Sequence, residues 1–406
     1  MTPNGRARPR VLVFNQYYRR GREATAHLLA ELCGALADEF EITVVAGTPG
    51  SPDGRSGPDG DDGVRVLRVR STSFDRTRLA RRALNYASYL AGALLTGLRQ
   101  ERPDVVMAMT DPPVVGDVAL AVARRFRAPL VVVSQDVFPE TAVALGRVDN
   151  PVLVGVLRAL VSVYLRRADR LVAIGETMRE RLVDRGARRE RIAVIPNWVD
   201  TRELRPGPHD NEWARRHDLA GRFVVMHSGN VGQAQDLDSL VRAARLLRDV
   251  DDLVVAVVGD GTRRRELEEL ARSLEAVNVR FLSHQPRAAL PLSLSAAHVH
   301  VVGLARGLSG YVVPSRLYGV LAVGRPVLVG ADEDSETARL VESIGCGVVV
   351  PPGRPDLLAA AIRELHGGSL DLEALGRRGR EYAEAEADRS VAVARYRELL
   401  RELVGR

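Results

Sequence analysis

Short runs of apolar, mostly β-branched residues recur from one end of the chain to the other, with amphipathic stretches of helical length between them. No other feature limits the fold as strongly. A strand that is apolar along its whole length is buried on both faces, as happens in parallel sheets covered by helices. Parallel neighbours need a long crossover, which the intervening helical stretches supply. The runs predict strands at Arg10–Phe14, Glu41–Ala46, Val64–Val69, Asp104–Ala108, Pro129–Ser134, Arg170–Ile174 and Arg191–Ile195. A second series falls at Phe223–His227, Leu253–Val258, Val279–Leu282, His298–Val302, Pro326–Val329 and Gly347–Val350. Helices are expected around Thr25–Asp38, Leu237–Leu247, Arg264–Leu274 and Ser390–Leu403.

Between the two series, Pro196-Asn197-Trp198-Val199-Asp200 through Pro206-Gly207-Pro208 interrupts the alternation and reads as a hinge near 197–208. A chain of 406 residues, at roughly 150 per domain, allows two or three domains. The expected organisation is a doubly wound α/β domain over residues 1–200 and a second over residues 201–389. A terminal helix, residues 390–406, could pack back on the first. Ligands of such sheets bind outside the carboxyl ends of the strands, so two facing halves imply a cleft. The Gly-, Pro- and Asp-rich segment Pro49–Asp62 reads as a solvated loop rather than a metal site.

Composition narrows the function classes. With 46% hydrophobic and 27% charged residues, the chain is neither a disordered tail nor a fibre. Cys33 and Cys346 are too few and too distant for a disulfide framework or a zinc site, and a reduced, cytoplasmic setting follows. The sequence contains no lysine, so all 58 basic residues are arginine, and the formal charge is +6. Aromatics make up only 4% and do not interleave with basic residues, so nucleic acid is not an expected partner. An anionic substrate or membrane surface suits the charge equally well. The polar start Met1–Arg10 is followed only by Val11–Phe14, too short for a leader. No apolar run approaches the roughly 18 residues of a spanning helix. Arg76–Arg82 precede the apolar stretch Ala83–Leu98, and Val152–Leu165 ends in Arg166-Arg167. Such stretches fit either interfacial helices near anionic lipid or helices packed on a sheet.

Several loops at strand ends could carry chemistry. Ser228-Gly229-Asn230-Val231-Gly232-Gln233-Ala234-Gln235-Asp236 leads from a strand into a helix. Glycines there let backbone N–H groups approach an anion, while Asp236 fits a helix cap. Gly259-Asp260-Gly261-Thr262 is a Gly-x-Gly pair without the third glycine of a dinucleotide fingerprint, explained by either turn geometry or a ligand. Pro314-Ser315 reads as a helix start with Arg316 in the first turn. A cation is unfavourable there unless an anion binds nearby or the side chain lies at the surface. In the first half, Gln135-Asp136-Val137-Phe138-Pro139-Glu140 follows a strand, and its two acids could act as base, sugar-hydroxyl acceptor or helix cap. Thr110-Asp111-Pro112-Pro113 occupies an equivalent position.

In their order, these segments resemble the bacterial retaining glycosyltransferases of family GT4, which have the two-Rossmann GT-B fold, and most closely the L-fucosamine-transferase-like group. The similarity runs through Asn15-Gln16-Tyr17-Tyr18, Glu23-Ala24-Thr25-Ala26, Thr110–Pro113, Gln135–Glu140, Pro196–Asp200, Gly229–Gln235, Gly259–Gly261, Pro314–Gly319, Gly324–Pro326 and Cys346-Gly347. The resemblance implies transfer of a hexose or N-acetylhexosamine-type sugar from a nucleotide-sugar donor, most often UDP-linked, with retention of configuration and without a metal or other cofactor. It assigns the donor to Gly229, Asn230, Gly232, Gln235, Gly259, Gly261, Arg264, Pro314, Ser315, Arg316 and Tyr318. The acceptor side takes Asn15, Gln16, Tyr17, Glu23, Thr25 and Asp111, and the candidate catalytic residues are Asp136, Arg316 and Glu140. In the front-face mechanism proposed for such enzymes the leaving diphosphate takes the acceptor proton, so positioning and charge stabilisation dominate.

Some positions depart from the family pattern. Tyr311 and Gly319 stand where many members carry two glutamates, and Asn230 and Gln235 stand where an arginine and a lysine often grip diphosphate. Glu336, in Ser335-Glu336-Thr337-Ala338, becomes the candidate for the ribose. Diphosphate charge then falls on Arg316 and the helix start. Arg19-Arg20-Gly21-Arg22 replaces a Pro-Pro-Asp stretch, suggesting either an acidic acceptor, such as a phosphate-linked lipid, or a plain exposed loop. A nucleotide-sugar 2-epimerase and a silent nucleotide-sugar-binding subunit are the competing readings. The expected location is the cytoplasm, with peripheral contact at the inner face of the membrane.

Overall fold

The structure, a computed structural model, describes residues 8–18, 24–47, 62–70 and 79–405. Glu23, the Arg19–Arg22 stretch, residues 76–78 and nearly all of Pro49–Asp62 lie outside the described residues. The chain divides into two compact units. One comprises Met1–Val143, Val148–Pro196 and Val393–Arg406, and the other Ala144–Arg147 and Asn197–Ala392.

The first unit is built on seven strands: β1 (Arg10–Phe14), β2 (Glu41–Gly47), β3 (Val64–Val69), β4 (Val105–Met109), β5 (Leu130–Ser134), β6 (Arg170–Ala173) and β7 (Ile192–Val194). All pair in parallel, in the order β3-β2-β1-β4-β5-β6-β7. Every residue of β4 and β5 is buried, which explains why those segments read as unbroken apolar runs. Edge strand β3 instead intersperses Arg65 and Arg68 among its valines. The helices are α1 (Ala24–Leu36), α2 (Leu79–Leu98), α3 (Val115–Phe126), α4 (Glu140–Ala144), α5 (Pro151–Arg167) and α6 (Glu176–Asp184). The start of α5 is dictated locally. Asn150 caps it, its Oδ1 accepting from the Val152 and Leu153 N–H groups at 3.0 Å. Pro151 stands at the first helical position, where its missing N–H is no loss.

The second unit holds β8 (Phe223–Ser228), β9 (Leu253–Val258), β10 (Val279–Leu282), β11 (Val299–Gly303), β12 (Val327–Gly330) and β13 (Gly347–Val350). They form a parallel sheet in the order β10-β9-β8-β11-β12-β13. Its helices are α7 (Glu212–Arg216), α8 (Leu237–Leu246), α9 (Arg264–Ser273), α10 (Leu290–Ser295), α11 (Arg316–Ala322), α12 (Glu336–Ile344), α13 (Pro355–His366) and α14 (Leu372–Glu386). The segment after Pro196 is fastened inside this unit. Arg380 donates to the carbonyls of Thr201 and Leu204, and Asp388 accepts from the Thr201 N–H and hydroxyl. A last helix, α15 (Arg389–Val404), passes from the second unit into the first. There Arg397 pairs with Asp38, and Arg401 with Glu39.

In each sheet the strand order reverses once, between β1 and β4 and between β8 and β11. At a reversal the two flanking connections leave in opposite directions and open a crevice outside the strand ends. These two crevices position everything that follows.

At the other end of the second sheet, His209 stacks on His298 with ring centroids 4.0 Å apart. His300 is buried, its Nε2 2.9 Å from the Leu294 carbonyl. Burial, reinforced by the Arg325 charge, lowers all three imidazoles from 6.5 to about 4. Groups whose folded pKa is depressed in this way contribute stability above pH 6.5 and lose it as the pH falls toward 4. We expect the urea midpoint of the second unit to decline steadily from pH 6.5 to 4.5; a flat profile across that window contradicts the assignment.

Candidate active site

The first crevice collects Asn15 and Gln16 from the end of β1, and Thr110 and Asp111 from the end of β4. The Gln16 N–H donates to the Asp111 carbonyl at 2.7 Å, bridging the two loops. Thr110 Oγ1 accepts the Gln135 N–H at 3.1 Å, which joins the end of β5 to the same cluster. Asn15 and Gln16 are buried, and their side-chain oxygens, Oδ1 and Oε1, have no hydrogen-bond partner among the described residues. A buried acceptor left unsatisfied is unfavourable by about 1–3 kcal/mol, so this is where an incoming hydroxyl or amide would find a ready partner. Tyr17 and Thr25 are half-buried, the first beside this cluster in sequence and the second in the opening turn of α1.

Asp136 lies half-buried in the loop after β5, close enough to Tyr164 to help burial raise that phenol's pKa. Glu140 has a different setting. It is 8% exposed, and its Oε1 lies 3.0 Å from Arg158 Nε on α5 and 2.6 Å from Arg185 Nη2 at the end of α6. That carboxylate clamps three helices together, a structural role that its position in the sequence did not announce. Glu140→Gln should lower stability by about 1–3 kcal/mol and leave turnover per folded molecule unchanged. Denaturant unfolding combined with active-site titration separates the two effects.

The second crevice is dominated by Arg316. It opens α11, and its guanidinium crosses to the ends of β8 and β11. Nη2 lies 3.3 Å from the Gly303 carbonyl, and Nη1 lies 3.2 Å from both ring nitrogens of His227. A point equidistant from both nitrogens lies over the ring face, because in the ring plane it would collide with Cε1. The cation therefore rests on the imidazole π-surface. His227 is fully buried, and burial followed by the Arg316 charge holds it well below the ordinary range. A neutral ring under the cation follows. Burial lowers Arg316 itself to about 10, so it stays charged at neutral pH. Among the described residues no carboxylate pairs with it. His227 is the residue sequence reasoning missed. Its only signal was a histidine at the carboxyl end of an otherwise apolar run.

Around Arg316 the glycines pack loop against loop. An added Cβ at Gly259 would lie 1.9 Å from the Gly229 carbonyl oxygen, at Gly261 2.2 Å from that of Val231, and at Gly303 2.1 Å from that of Gln235. Gly229 and Gly259 also have φ of 145° and 137°, in the region that favours glycine. The backbone donors are largely occupied: Gly229 N–H bonds the Val258 carbonyl, Val231 N–H the Asp260 carbonyl, and Gly232 N–H the Gln235 side-chain oxygen. These residues hold one another, while Asn230 is exposed beside them.

Arg264 is likewise committed. Its Nη1 donates to the carbonyls of Gly259 and Leu282 at 2.6 and 2.8 Å, its Nε pairs with Glu268, and the guanidinium lies 5.3 Å from the Phe281 ring centre. Tyr318 is 2% exposed and belongs to the apolar core, so its ring does not line the crevice. Asp236 occupies the cap position of α8, but its carboxylate accepts from the Ser239 hydroxyl and the Gly353 N–H rather than from the helix backbone. Pro314 is buried, Ser315 is half-buried and forms no side-chain cap, and Glu336 is half-buried at the start of α12, beyond the end of β12.

Residues 21–198 match the family model described as a glycosyl transferase 4-like domain, and residues 210–382 match glycosyl transferases group 1. The chain belongs to the group 1 glycosyltransferases. Like other members of that family, it is a transferase acting on glycosyl groups. It is 28% identical over 374 residues to WbjE of Pseudomonas aeruginosa, described as a probable glycosyltransferase, with 90% of this chain and 91% of WbjE covered. Among solved structures, Anabaena HepE in complex with UDP superposes with a TM-score of 0.74 at 16% identity, covering 97% of this chain and all of HepE. Sucrose-phosphate synthase from Thermosynechococcus elongatus gives 0.80 at 15% identity, covering 98% of this chain and all of its own. The two parallel sheets are thus those of a GT-B glycosyltransferase.

Glycine substitutions separate steric need from accident within this glycosyltransferase. Gly303→Ala drives a Cβ against backbone and should destabilise by about 1–3 kcal/mol. At Gly319, inside α11, a Cβ would meet only Leu294 Cδ1 at 3.6 Å and Leu204 Cδ1 at 3.8 Å. Gly319→Ala should therefore be neutral or stabilise by up to about 1 kcal/mol through helix propensity. Thermal melts of the two variants test the contrast.

Proposed function

We propose that the protein transfers a sugar, a hexose or an N-acetylhexosamine-type residue, from a UDP-linked donor to an acceptor hydroxyl with retention of configuration. The observation that carries this reading is Arg316, a cation without a carboxylate partner at the order reversal of the second sheet. A half-buried charge without a counter-charge is unfavourable until an anion arrives, and the donor diphosphate is the anion this fold most readily accommodates. HepE, of the same fold, was crystallised with UDP, which supports the choice of base.

In the proposed reaction the acceptor oxygen attacks the anomeric carbon on the face from which the diphosphate departs. The C–O bond to phosphate breaks, the new glycosidic bond forms, and the acceptor proton passes to a diphosphate oxygen. Arg316 stabilises the charge that grows on the leaving group, so the step needs no metal. Glu336 is the candidate contact for the ribose. In the first unit, the unsatisfied oxygens of Asn15 and Gln16 orient the acceptor, with Asp111 and Asp136 as further positioning groups. The acceptor is a soluble or lipid-linked hydroxyl compound.

Thermal-shift measurements against UDP, GDP, dTDP and their sugars test the donor. Saturation at a hundredfold the dissociation constant raises stability by about 2.7 kcal/mol, which is easily resolved. We expect a shift with uridine nucleotides alone. Arg316→Ala should lower kcat by about 100–1000-fold, with a smaller effect on donor affinity. Wild-type turnover in that variant removes Arg316 from the mechanism. Conversion of the free donor into its C2 epimer identifies an epimerase, and binding without donor cleavage identifies a silent subunit.

A further inference from the structure

We propose that the outer face of α5, together with an arginine-lined groove at its carboxyl end, is a docking surface for an anionic phospholipid membrane. Helices packed on a sheet turn their apolar stripe inward, but α5 also carries one on its outer side. Val152, Val156 and Leu160 are 75%, 53% and 44% exposed, and Leu153 and Val163 continue the same outer face. Spacings of three and four residues align these side chains along the helix.

The helix ends in Arg166 and Arg167, which open onto a groove of about 520 Å³. Arg124 and Arg127 reach it from the end of α3, and Arg188 and Arg191 from the segment that leads into β7. Its floor is apolar, formed by Leu120, Ala123 and Leu130. None of the six arginines pairs with a carboxylate among the described residues. Asp169, the one acid on the groove, accepts the Leu130 N–H at 2.9 Å, and the Arg191 contact is with the Ala168 carbonyl at 3.1 Å. Nearby arginines off the groove are paired: Arg189 with Glu180, and Arg170 with Glu402. Helix carboxyl ends favour cations, which accounts for Arg166 and Arg167. It does not account for Arg188, which precedes a single 3-10 turn, or for Arg191, which closes that one turn only, and both add to the repulsion.

An apolar stripe running into unpaired cations is the surface that an anionic bilayer complements. The stripe enters the acyl boundary, and the guanidinium groups meet the phosphate headgroups. A nucleic acid would match the charge but leave the stripe uncovered, and no aromatic side chain lines the groove for base stacking. A second copy of this chain would bring another protein of net charge +6 toward six uncompensated cations. The surface is independent of the donor chemistry, so it stands or falls apart from the proposed reaction. If both hold, the enzyme works where a lipid-borne acceptor would be presented.

The test is co-sedimentation of the full chain with phosphatidylcholine vesicles, with and without phosphatidylglycerol, read without any sugar donor. We expect binding only to the vesicles containing phosphatidylglycerol, weakening as salt rises. Removing two cations with Arg188→Ser/Arg191→Ser should weaken partition roughly thirtyfold. Val156→Ser/Leu160→Ser should weaken it at least about tenfold at unchanged charge, with circular dichroism confirming that each variant folds. Equal binding to neutral vesicles overturns the proposal, as does wild-type binding by the stripe variant, which reveals adsorption by charge alone. Displacement from vesicles by a short oligonucleotide, or a dimer that the stripe variant converts to monomer, assigns the face to a different partner.

Discussion

A parallel strand cannot be reached by a tight turn. Successive strands within each sheet therefore need crossovers, and among the described residues most of these deposit a helix on a sheet face. The sheets are consequently buried on both sides, which leaves their edges at the strand ends as the places where backbone and polar side chains can meet a ligand. Reversal of strand order then selects one point on each carboxyl edge. Arg316, His227, Asn15 and Gln16 are gathered at those two points by chain topology, although they are scattered through the sequence.

The electrostatics of the second crevice follow from the same constraint. A cation held partly out of water is normally matched by an acid. Arg316 has instead a neutral imidazole face and a carbonyl. This arrangement keeps the charge in place without neutralising it. Elsewhere arginine serves the fold. Arg264 fastens β9 and β10 to α9, Arg380 fastens the segment after Pro196, and Arg158 and Arg185 close on Glu140. In a chain without lysine, partnership rather than residue type distinguishes a structural cation from a functional one.

All thirteen strands among the described residues were legible in the sequence, because burial on both faces of most of them leaves an apolar run that survives without knowledge of the neighbours. The roles of individual loop residues were less legible. Gly259 and Gly261 could be read as either turn geometry or a ligand contact, and what they admit is the backbone of another loop. Tyr318 read as a lining residue, but the helix turns it into the core. Glu140 sits four residues after Asp136 at a strand end, and nothing local reveals that Arg158 and Arg185 converge on it. Such partners depend on which elements become neighbours, and a linear pattern does not encode that. Arg316 could be found early because its conflict with the helix dipole is local.

The backbone contacts among the Gly229, Gly259 and Gly303 loops also bear on how such an enzyme can diversify. Three segments that touch through carbonyl oxygens and missing side chains have no slack, so a change in one must be matched in the others. Inheritance treats them as a single character. Changes in sugar or acceptor preference would then accumulate first in segments outside this block, where a residue can be exchanged or a loop lengthened without disturbing a neighbour.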